Sequence, residues 1–239
     1  MNAKQLINEV RQFCESNANA ENALKNKRYF KEADAPDSYG LTQVQVNEKA
    51  KQMVKSKSLT LETVIEAAPE LLKSNKYEEI SLALLLVNGF DKQYTPGLFS
   101  EIGSWFSYSI HNWAHADTLG MFILPKFLLK DIVKENDFKS WKTSPYKYQR
   151  RCVPVTLIKV IKKGGNPHPL FKFLEPLMID PEREVHQGMG WFLRECWKIK
   201  PEETEAFLLK WKDKAPRLII QYATEKMTAE HKLLFRRTK

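Results

Sequence analysis

Apolar positions recur every three or four residues along nearly the whole chain. Three stripes illustrate the period: Leu6, Val10, Phe13 and Cys14; Val155, Leu157, Ile158 and Ile161; and Phe207, Leu208 and Trp211. This period predicts amphipathic α-helices, each with one apolar face. No segment of four or more residues alternates apolar and polar positions between turn residues, so no strand is predicted. We therefore predict an all-α protein of about a dozen helices.

Turn-forming residues interrupt the helical pattern roughly every 15 to 20 residues, a spacing that suits short helices joined by short connections. The segment Asp180-Pro181-Glu182 is typical of a helix start, and Ser58 and Thr60 are two candidate caps for an earlier helix. Helices pair off at about 35 to 40 residues, the length of an α-solenoid repeat, although no strict sequence repeat is visible. We predict a single domain over residues 1–239, folded as a right-handed α-solenoid of HEAT-like repeats.

An excess of basic residues indicates the kind of partner that the protein binds. Lys and Arg number 38 against 29 Asp and Glu, giving a formal net charge of +9. Such an excess favours an anionic partner, with nucleic acid ahead of a membrane surface. Four segments concentrate the basic residues: Lys25 to Lys31, Lys147 to Arg151, Lys159 to Lys163, and Arg194 to Lys200. On a solenoid they could merge into one positive groove, whereas singly each is more often a solvated helix face.

Other features exclude several classes of protein. The three cysteines (Cys14, Cys152 and Cys196) are widely spaced, which is typical of free thiols in a reducing compartment. His111 and His115 have the spacing of metal ligands, but no third ligand is evident, so we predict no metal and no cofactor. No apolar leader segment is visible, and the run from Leu82 to Val87 is too short to span a bilayer. We expect a cytoplasmic monomer.

Trp113 and Asp117 are the pair of residues that most suggests chemistry. Residues four apart share a helix face, so an indole and a carboxylate can reach the same point. An aromatic wall beside an acid in a basic protein suggests a site that holds a cationic group next to an anionic polymer. His115 is two positions from each and is expected to point away. The remaining tryptophans apart from Trp191 are assigned to packing: Trp105, Trp141, Trp197 and Trp211.

Several motifs together resemble the AlkD family of DNA-alkylation-repair glycosylases. The segment from Trp113 to Asp117 is similar to the family's Trp-x-x-x-Asp, and residues 190–195 (Gly-Trp-Phe-Leu-Arg-Glu) are similar to its Gly-Trp-x-Leu-Arg-Glu. Residues 148–151 (Tyr-Gln-Arg-Arg) resemble its Gln-Arg pair. Residues 28–31 (Arg-Tyr-Phe-Lys), followed by Tyr39-Gly40-Leu41, resemble its Tyr-x-Lys…Gly-[Ile/Leu] element. Each motif is moderately specific, and their order and spacing over roughly residues 25 to 200 strengthen the resemblance.

The resemblance implies a HEAT-like fold and a monofunctional glycosylase that removes positively charged N-alkylated purines from duplex DNA. Asp117, Trp113 and Trp191 are then the candidate catalytic residues. Arg150, Arg151, Arg194 and Tyr29 are the candidate DNA-binding residues, with either Arg150 or Arg151 taking the phosphate-facing role. Members of this family act without flipping the damaged base into a deep pocket, unlike most enzymes that act on bases. The candidate residues are therefore expected to converge on one shallow, positively charged cleft.

Alternatives remain open at the level of residues and of function. Trp113 and Trp191 can belong to the core, Asp117 can be a solvated acid, and Arg150 and Arg194 can pair with acids on neighbouring helices, Glu195 being adjacent. The chain can also be a non-catalytic helical-repeat protein that binds damaged or branched DNA, or a protein–protein scaffold. Steep salt dependence of duplex binding distinguishes the two DNA-binding functions from the scaffold.

Overall fold

The computed structural model describes residues 1–30 and 35–238, and these form fourteen α-helices joined by short turns. In chain order they are α1 (Ala3–Ser16), α2 (Ala20–Lys27), α3 (Gln43–Lys55), α4 (Leu61–Lys73), α5 (Tyr77–Gly89), α6 (Pro96–Ser104), α7 (Trp113–Thr118), α8 (Leu124–Leu129), α9 (Lys147–Lys162), α10 (Pro167–Leu174), α11 (Arg183–Trp197), α12 (Pro201–Trp211), α13 (Arg217–Ala223) and α14 (Ala229–Leu233). Short 3-10 turns and one π-helical turn, Leu119–Ile123, lie between them. The sequence prediction of an all-α fold is confirmed.

No β-strand forms in the described residues, and extended pairing is limited to one isolated bridge between Asp37 and Lys76. The chain divides into two compact units, Met1–Thr118 and Leu119–Lys239. A single continuous solenoid over the whole chain stays a prediction. Among the described helices, none is long and apolar enough to cross a membrane.

The predicted helix starts agree with the structure at one place and shift at another. Thr60 caps α4, because its hydroxyl accepts a hydrogen bond from the backbone N–H of Thr63, so it is the functional cap of the two candidates. α11, in contrast, begins at Arg183 rather than beside Pro181. Asp180 still accepts the backbone N–H of Glu182 at 2.9 Å, but its carboxylate also accepts a hydrogen bond from Arg150 on α9, as described below.

In the first unit, α5 is the central helix and packs against α1, α3 and α4. Its first turn carries Glu78, a fully buried carboxylate. Oε1 of Glu78 accepts hydrogen bonds from the Ser38 hydroxyl at 2.8 Å and the backbone N–H groups of Gly40 and Leu41 at 2.9 and 3.1 Å. Oε2 accepts the backbone N–H of Tyr39 at 2.9 Å. One buried side chain therefore fixes the loop from Ser38 to Leu41.

Gly40 allows this loop to touch the start of α2. Its φ of +82° is in the left-handed region, and a Cβ atom there would lie 2.0 Å from the carbonyl oxygen of Asn19 and 2.6 Å from the backbone nitrogen of Ala23. Only glycine fits this backbone approach. The loop thereby holds α2, and the turn after α2 carries Tyr29 and Phe30 to the site described below.

In the second unit, α11 packs between α9 and α13. α9 and α11 run parallel, because Arg151 contacts the Glu184 carbonyl oxygen near their starts and Lys162 contacts Glu195 near their ends. Gly190 lets α13 approach closely, since a Cβ at this position would lie 2.4 Å from Cβ of Tyr222. Because α9 and α11 lie side by side, one face of α11 lies next to the C-terminal end of α9. That face carries the candidate residues Trp191 and Arg194.

Candidate functional site

Trp113 is the first residue of α7 and presents its indole on the surface of the first unit. The side chain of Asn112 caps the helix by accepting the backbone N–H of His115 at 3.0 Å. The indole N–H of Trp113 donates to the backbone carbonyl oxygen of Tyr29 at 3.3 Å, and the residue remains 40% exposed. A tryptophan fixed in orientation while this exposed is a surface feature, so its assignment to the core is not supported.

Four rings form a stack that runs inward from Trp113. Phe30 stacks on Trp113 with ring centroids 5.6 Å apart and an interplanar angle of 28°. Tyr77 lies 6.0 Å from Phe30 in a tilted arrangement, and His115 stacks on Tyr77 at 4.7 Å. The stack connects the exposed indole to the buried interior, which makes the orientation of Trp113 stiff.

His115 lies at the inner end of the stack as a neutral imidazole. It is buried, and its Nε2 donates to the backbone carbonyl oxygen of Tyr77 at 3.1 Å, so Nδ1 is left to accept from the Asn112 side-chain amide at 2.9 Å. Burial lowers the pKa of His115 to about 4, against a smaller raising effect of the Tyr77 carbonyl. His115 is buried whereas Trp113 is exposed, and the prediction that His115 points away from the face of Trp113 and Asp117 stays a prediction.

A cavity of about 290 Å³ lies against the aromatic stack, within the first unit. Trp113, Phe30 and Tyr77 form its aromatic side. Polar side chains from α2, from the loop before α3 and from the first residue of α3 also line it, and the set comprises Asn22, Asn26, Lys27, Ser38, Thr42 and Gln43. Tyr29 also lines the cavity and is 73% exposed. A cavity lined by aromatic rings and hydrogen-bonding groups suits a planar, polar-edged ligand.

Asp117 occupies the position one helical turn after Trp113, as the spacing predicts, and is half-buried. Its helix ends at Thr118, and a π-helical turn, Leu119–Ile123, follows directly. π-helical turns are rare in proteins, and those that occur often lie near functional sites. The structure thus places an indole and a carboxylate on successive turns of one short helix.

Trp191 and Arg194 lie on α11 in the second unit and are both half-buried. Arg194 directs its Nε toward Glu195 at 3.4 Å and its Nη1 toward Glu225 on the chain beyond α13. The ion pair with Glu195 that was considered as an alternative is therefore present. The DNA-binding role of Arg194 stays a prediction.

Arg150 and Arg151 are buried between helices. Nε and Nη2 of Arg150 donate to the two carboxylate oxygens of Asp180 at 2.6 and 3.2 Å, and Nη1 donates to the backbone carbonyl oxygen of Ser144 at 2.7 Å. Arg151 donates to the carbonyl oxygen of Glu184 at 2.8 Å. Phosphate contact by either residue stays a prediction. These contacts support the alternative that Arg150 pairs with an acid, here Asp180 in the turn before α11.

Some residues of the site were missed by the sequence analysis. Phe30 was noted only as part of a motif, and Tyr77 was not noted at all. The two residues lie 47 positions apart and do not belong to a common apolar stripe, so the sequence does not indicate that they meet. Lys31, the last residue of the Arg-Tyr-Phe-Lys motif, lies outside the described residues, as does the start of the loop from Glu32 to Gly40. Trp105 and Trp141 are buried, in agreement with their assignment to packing.

The predicted site residues fall into two groups. Tyr29, Trp113 and Asp117 belong to the first unit, whereas Trp191 and the arginines belong to the second. Their convergence on one cleft stays a prediction.

Comparisons with known proteins agree on one description. A family model described as DNA alkylation repair enzyme matches residues 10–227. A solved structure described as a predicted DNA alkylation repair enzyme from Enterococcus faecalis matches with a TM-score of 0.77, covering 89% of this chain and 97% of that chain at 15% identity. At this identity the likeness shows the fold alone. Among curated proteins, none matches this chain.

Proposed function

This chain belongs to the family of DNA alkylation repair enzymes, and we propose that it is a monofunctional DNA glycosylase. It hydrolyses the N-glycosidic bond of positively charged N-alkylated purines, such as 3-methyladenine and 7-alkylguanine, in duplex DNA. The observation that carries this proposal is the fixed, exposed indole of Trp113, stacked on Phe30 at the wall of a cavity, with the Asp117 carboxylate one helical turn away.

The indole suits a cationic base. The face of an indole attracts cations through its quadrupole, which contributes roughly 0.5 to 2 kcal/mol depending on how much water is excluded. Because Phe30 and the Tyr29 carbonyl already hold the ring, little side-chain freedom is lost on binding. Trp113 therefore provides a rigid surface against which an alkylated nucleotide can lie.

The carboxylate suits the bond that breaks. A cationic N-alkylated purine is already a good leaving group and needs no general acid, so the absence of one near Asp117 in our assignment is chemically consistent. The sugar develops oxocarbenium character as the bond breaks, and a carboxylate stabilises that positive charge and orients the attacking water. Electrostatic stabilisation of this kind typically contributes about 3 to 4 kcal/mol.

The remaining candidate residues complete the proposed interface. Trp191 is proposed to contact the lesion nucleotide as a second indole, and Tyr29 and Arg194 to contact the DNA backbone. Tyr29 is highly exposed beside the cavity, and the side chain of Arg194 is 18% exposed, which supports these roles. Phosphate contacts position the duplex and carry no base information directly.

The proposal is tested by incubating the protein with methylated duplex DNA under single-turnover conditions and measuring released free bases. We expect release of 3-methyladenine and 7-methylguanine by the wild type, and a rate lower by roughly a hundredfold or more in Asp117→Asn, with duplex affinity nearly unchanged. Asp131→Asn is the matched control, since Asp131 is exposed and has a φ of +61°, which asparagine tolerates.

A second pair of variants tests the aromatic wall. Trp113→Phe keeps an aromatic face but loses the indole N–H, whereas Trp113→Ala removes the face, so release should be much slower in the alanine variant than in the phenylalanine variant. Duplex binding without base release by the wild type would refute the glycosylase and favour a non-catalytic DNA-binding protein. An unchanged release rate in Asp117→Asn would show that the carboxylate has no catalytic role.

A further inference from the structure

Glu195 is a buried carboxylate on which three cationic side chains converge. Its side chain is 5% exposed. Oε2 accepts from Nζ of Lys162 at 2.7 Å, and Oε1 accepts from Nζ of Lys198 at 2.8 Å and from Nε of Arg194 at 3.4 Å. Burial raises the pKa of Glu195, but hydrogen bonds and charges from Lys162 and Lys198 outweigh it and bring the pKa to about 2. The group is therefore charged at every pH at which the protein is expected to bind a ligand.

The number of cations exceeds what neutralising the buried charge requires. One cation suffices to compensate one carboxylate, and a second and third add mutual repulsion. Arg194 has a second acid, Glu225, whereas Lys162 and Lys198 both pair with Glu195. The side chains of these two lysines are 45% and 42% exposed, so their surplus positive charge faces solvent.

The position of the cluster connects it to the candidate site. Arg194, Glu195 and Lys198 follow Trp191 by three, four and seven positions. Lys198 is the C-terminal cap of α11 and keeps helical backbone angles, so all four residues lie on one face. Lys162 is the last residue of α9, which runs parallel to α11, and it reaches the same carboxylate. The basic face therefore crosses two neighbouring helices and extends from Trp191 toward the C-terminal ends of both.

We propose that Lys162 and Lys198 form, together with Arg194, a strip that binds consecutive backbone phosphates of duplex DNA, and that Glu195 is the positioning residue that fixes the strip. The proposal rests on the proposed function, since it takes duplex DNA as the ligand. Lysine side chains lose rotamer freedom when they bind a phosphate. The shared contact with Glu195 limits that freedom beforehand and aligns two ammonium groups beside Arg194.

The first test is the salt dependence of binding to an undamaged duplex, measured for the wild type and for Lys162→Gln/Lys198→Gln. Each phosphate contact contributes about 0.9 to the slope of log affinity against log salt, so we expect the double variant to lower the magnitude of the slope by about 1.8. Lys172→Gln/Lys214→Gln is the matched control, because both of its lysines are exposed, lie in the same unit and carry the same total charge. The control should leave the slope unchanged, and equal slopes in the two double variants would overturn the proposal.

The second test uses Glu195→Gln. A role through charge alone and a role in positioning the lysines predict opposite changes in the affinity of this variant for DNA. Removing a negative charge beside a DNA interface strengthens binding if Glu195 acts only through its charge. If it positions the lysines, the variant binds more weakly and its slope falls in magnitude by about 1 to 2. Tighter binding by a folded Glu195→Gln variant, verified by circular dichroism, would overturn the positioning role.

Base release by the same variants separates this proposal from the proposed function. The wild type can release methylated bases while the lysine variant and its control show the same salt dependence of duplex binding. That result would refute the strip and leave the proposed function intact. Wild-type protein that does not bind duplex DNA would refute both. The lysine variants change exposed side chains, so they are expected to fold even where Glu195→Gln does not.

Discussion

Replacing Arg150 with alanine should destabilise the fold far more than it affects DNA binding. Arg150 and Asp180 form a two-point ion pair whose side chains are only 11% and 5% exposed. Alanine removes both hydrogen bonds to Asp180 and the one to the Ser144 carbonyl oxygen. Asp180 would keep the backbone N–H of Glu182 as its partner, which leaves a buried carboxylate without a cation.

The expected size of the effect follows from that burial. Removing one partner of a buried ion pair typically costs about 3 to 5 kcal/mol, because the remaining charge stays desolvated. For a protein of this size, 1 kcal/mol shifts the midpoint of thermal unfolding by about 2 to 4 °C, so we expect a Tm lower by about 6 to 20 °C. Neutralising the partner as well should recover much of the loss, so Arg150→Met/Asp180→Asn is expected to be more stable than Arg150→Met alone.

Thermal unfolding and duplex titration on the same variants provide the assay. Arg194→Ala is the comparison, because Arg194 pairs with the half-exposed Glu225 and shares Glu195 with two lysines. It should lose duplex affinity and salt dependence with a smaller loss of stability. If Arg150→Ala keeps a Tm within about 2 °C of the wild type, a shift of at most about 1 kcal/mol, while duplex affinity falls, then Arg150 is a phosphate contact and the structural argument fails.

Two further predictions concern packing and protonation. Gly190→Ala should lower the free energy of unfolding by about 1 to 3 kcal/mol in a denaturant titration, since the added Cβ would lie 2.4 Å from Cβ of Tyr222; a change below about 0.5 kcal/mol would show that α11 and α13 separate easily. His115 stays neutral in the folded state down to a pKa of about 4, whereas an unfolded histidine protonates near 6.5. Its contribution to stability is therefore complete above pH 6.5 and is lost as the pH falls toward 4, and an NMR titration that shows the folded His115 ring protonating near pH 6.5 would contradict this.

The helical class was predictable because it depends on local periodicity. The stripes through Leu6, Val10 and Cys14 and through Val155, Ile158 and Ile161 are buried as expected, since a residue's place on a helix depends only on its spacing from its neighbours. The same reasoning placed Trp113 and Asp117 on successive turns of one helix.

Contacts between distant segments were not predictable in this way. Phe30 stacks on Trp113 across 83 positions of sequence, because the loop held by Glu78 and Gly40 fixes the start of α2. Nothing in the spacing of these residues records that loop. Asp180 has the appearance of a simple helix cap in the sequence, and its pairing with Arg150 depends on how α9 packs beside α11.

Packing between distant segments also determines which cations are exposed to DNA, and the sequence motifs do not show this. Sequence motifs drew attention to Arg150 and Arg151, but packing places both between helices, where their guanidinium groups serve the protein's own carbonyl and carboxylate oxygens. Lys162 and Lys198 belong to broader basic segments that carried no specific role, yet a buried Glu195 holds both at the surface. A cation that is exposed and already held in place binds a phosphate at a lower entropic cost. By that criterion the strip around Glu195, rather than the paired arginines of α9, is the more suitable surface for the DNA backbone in the second unit.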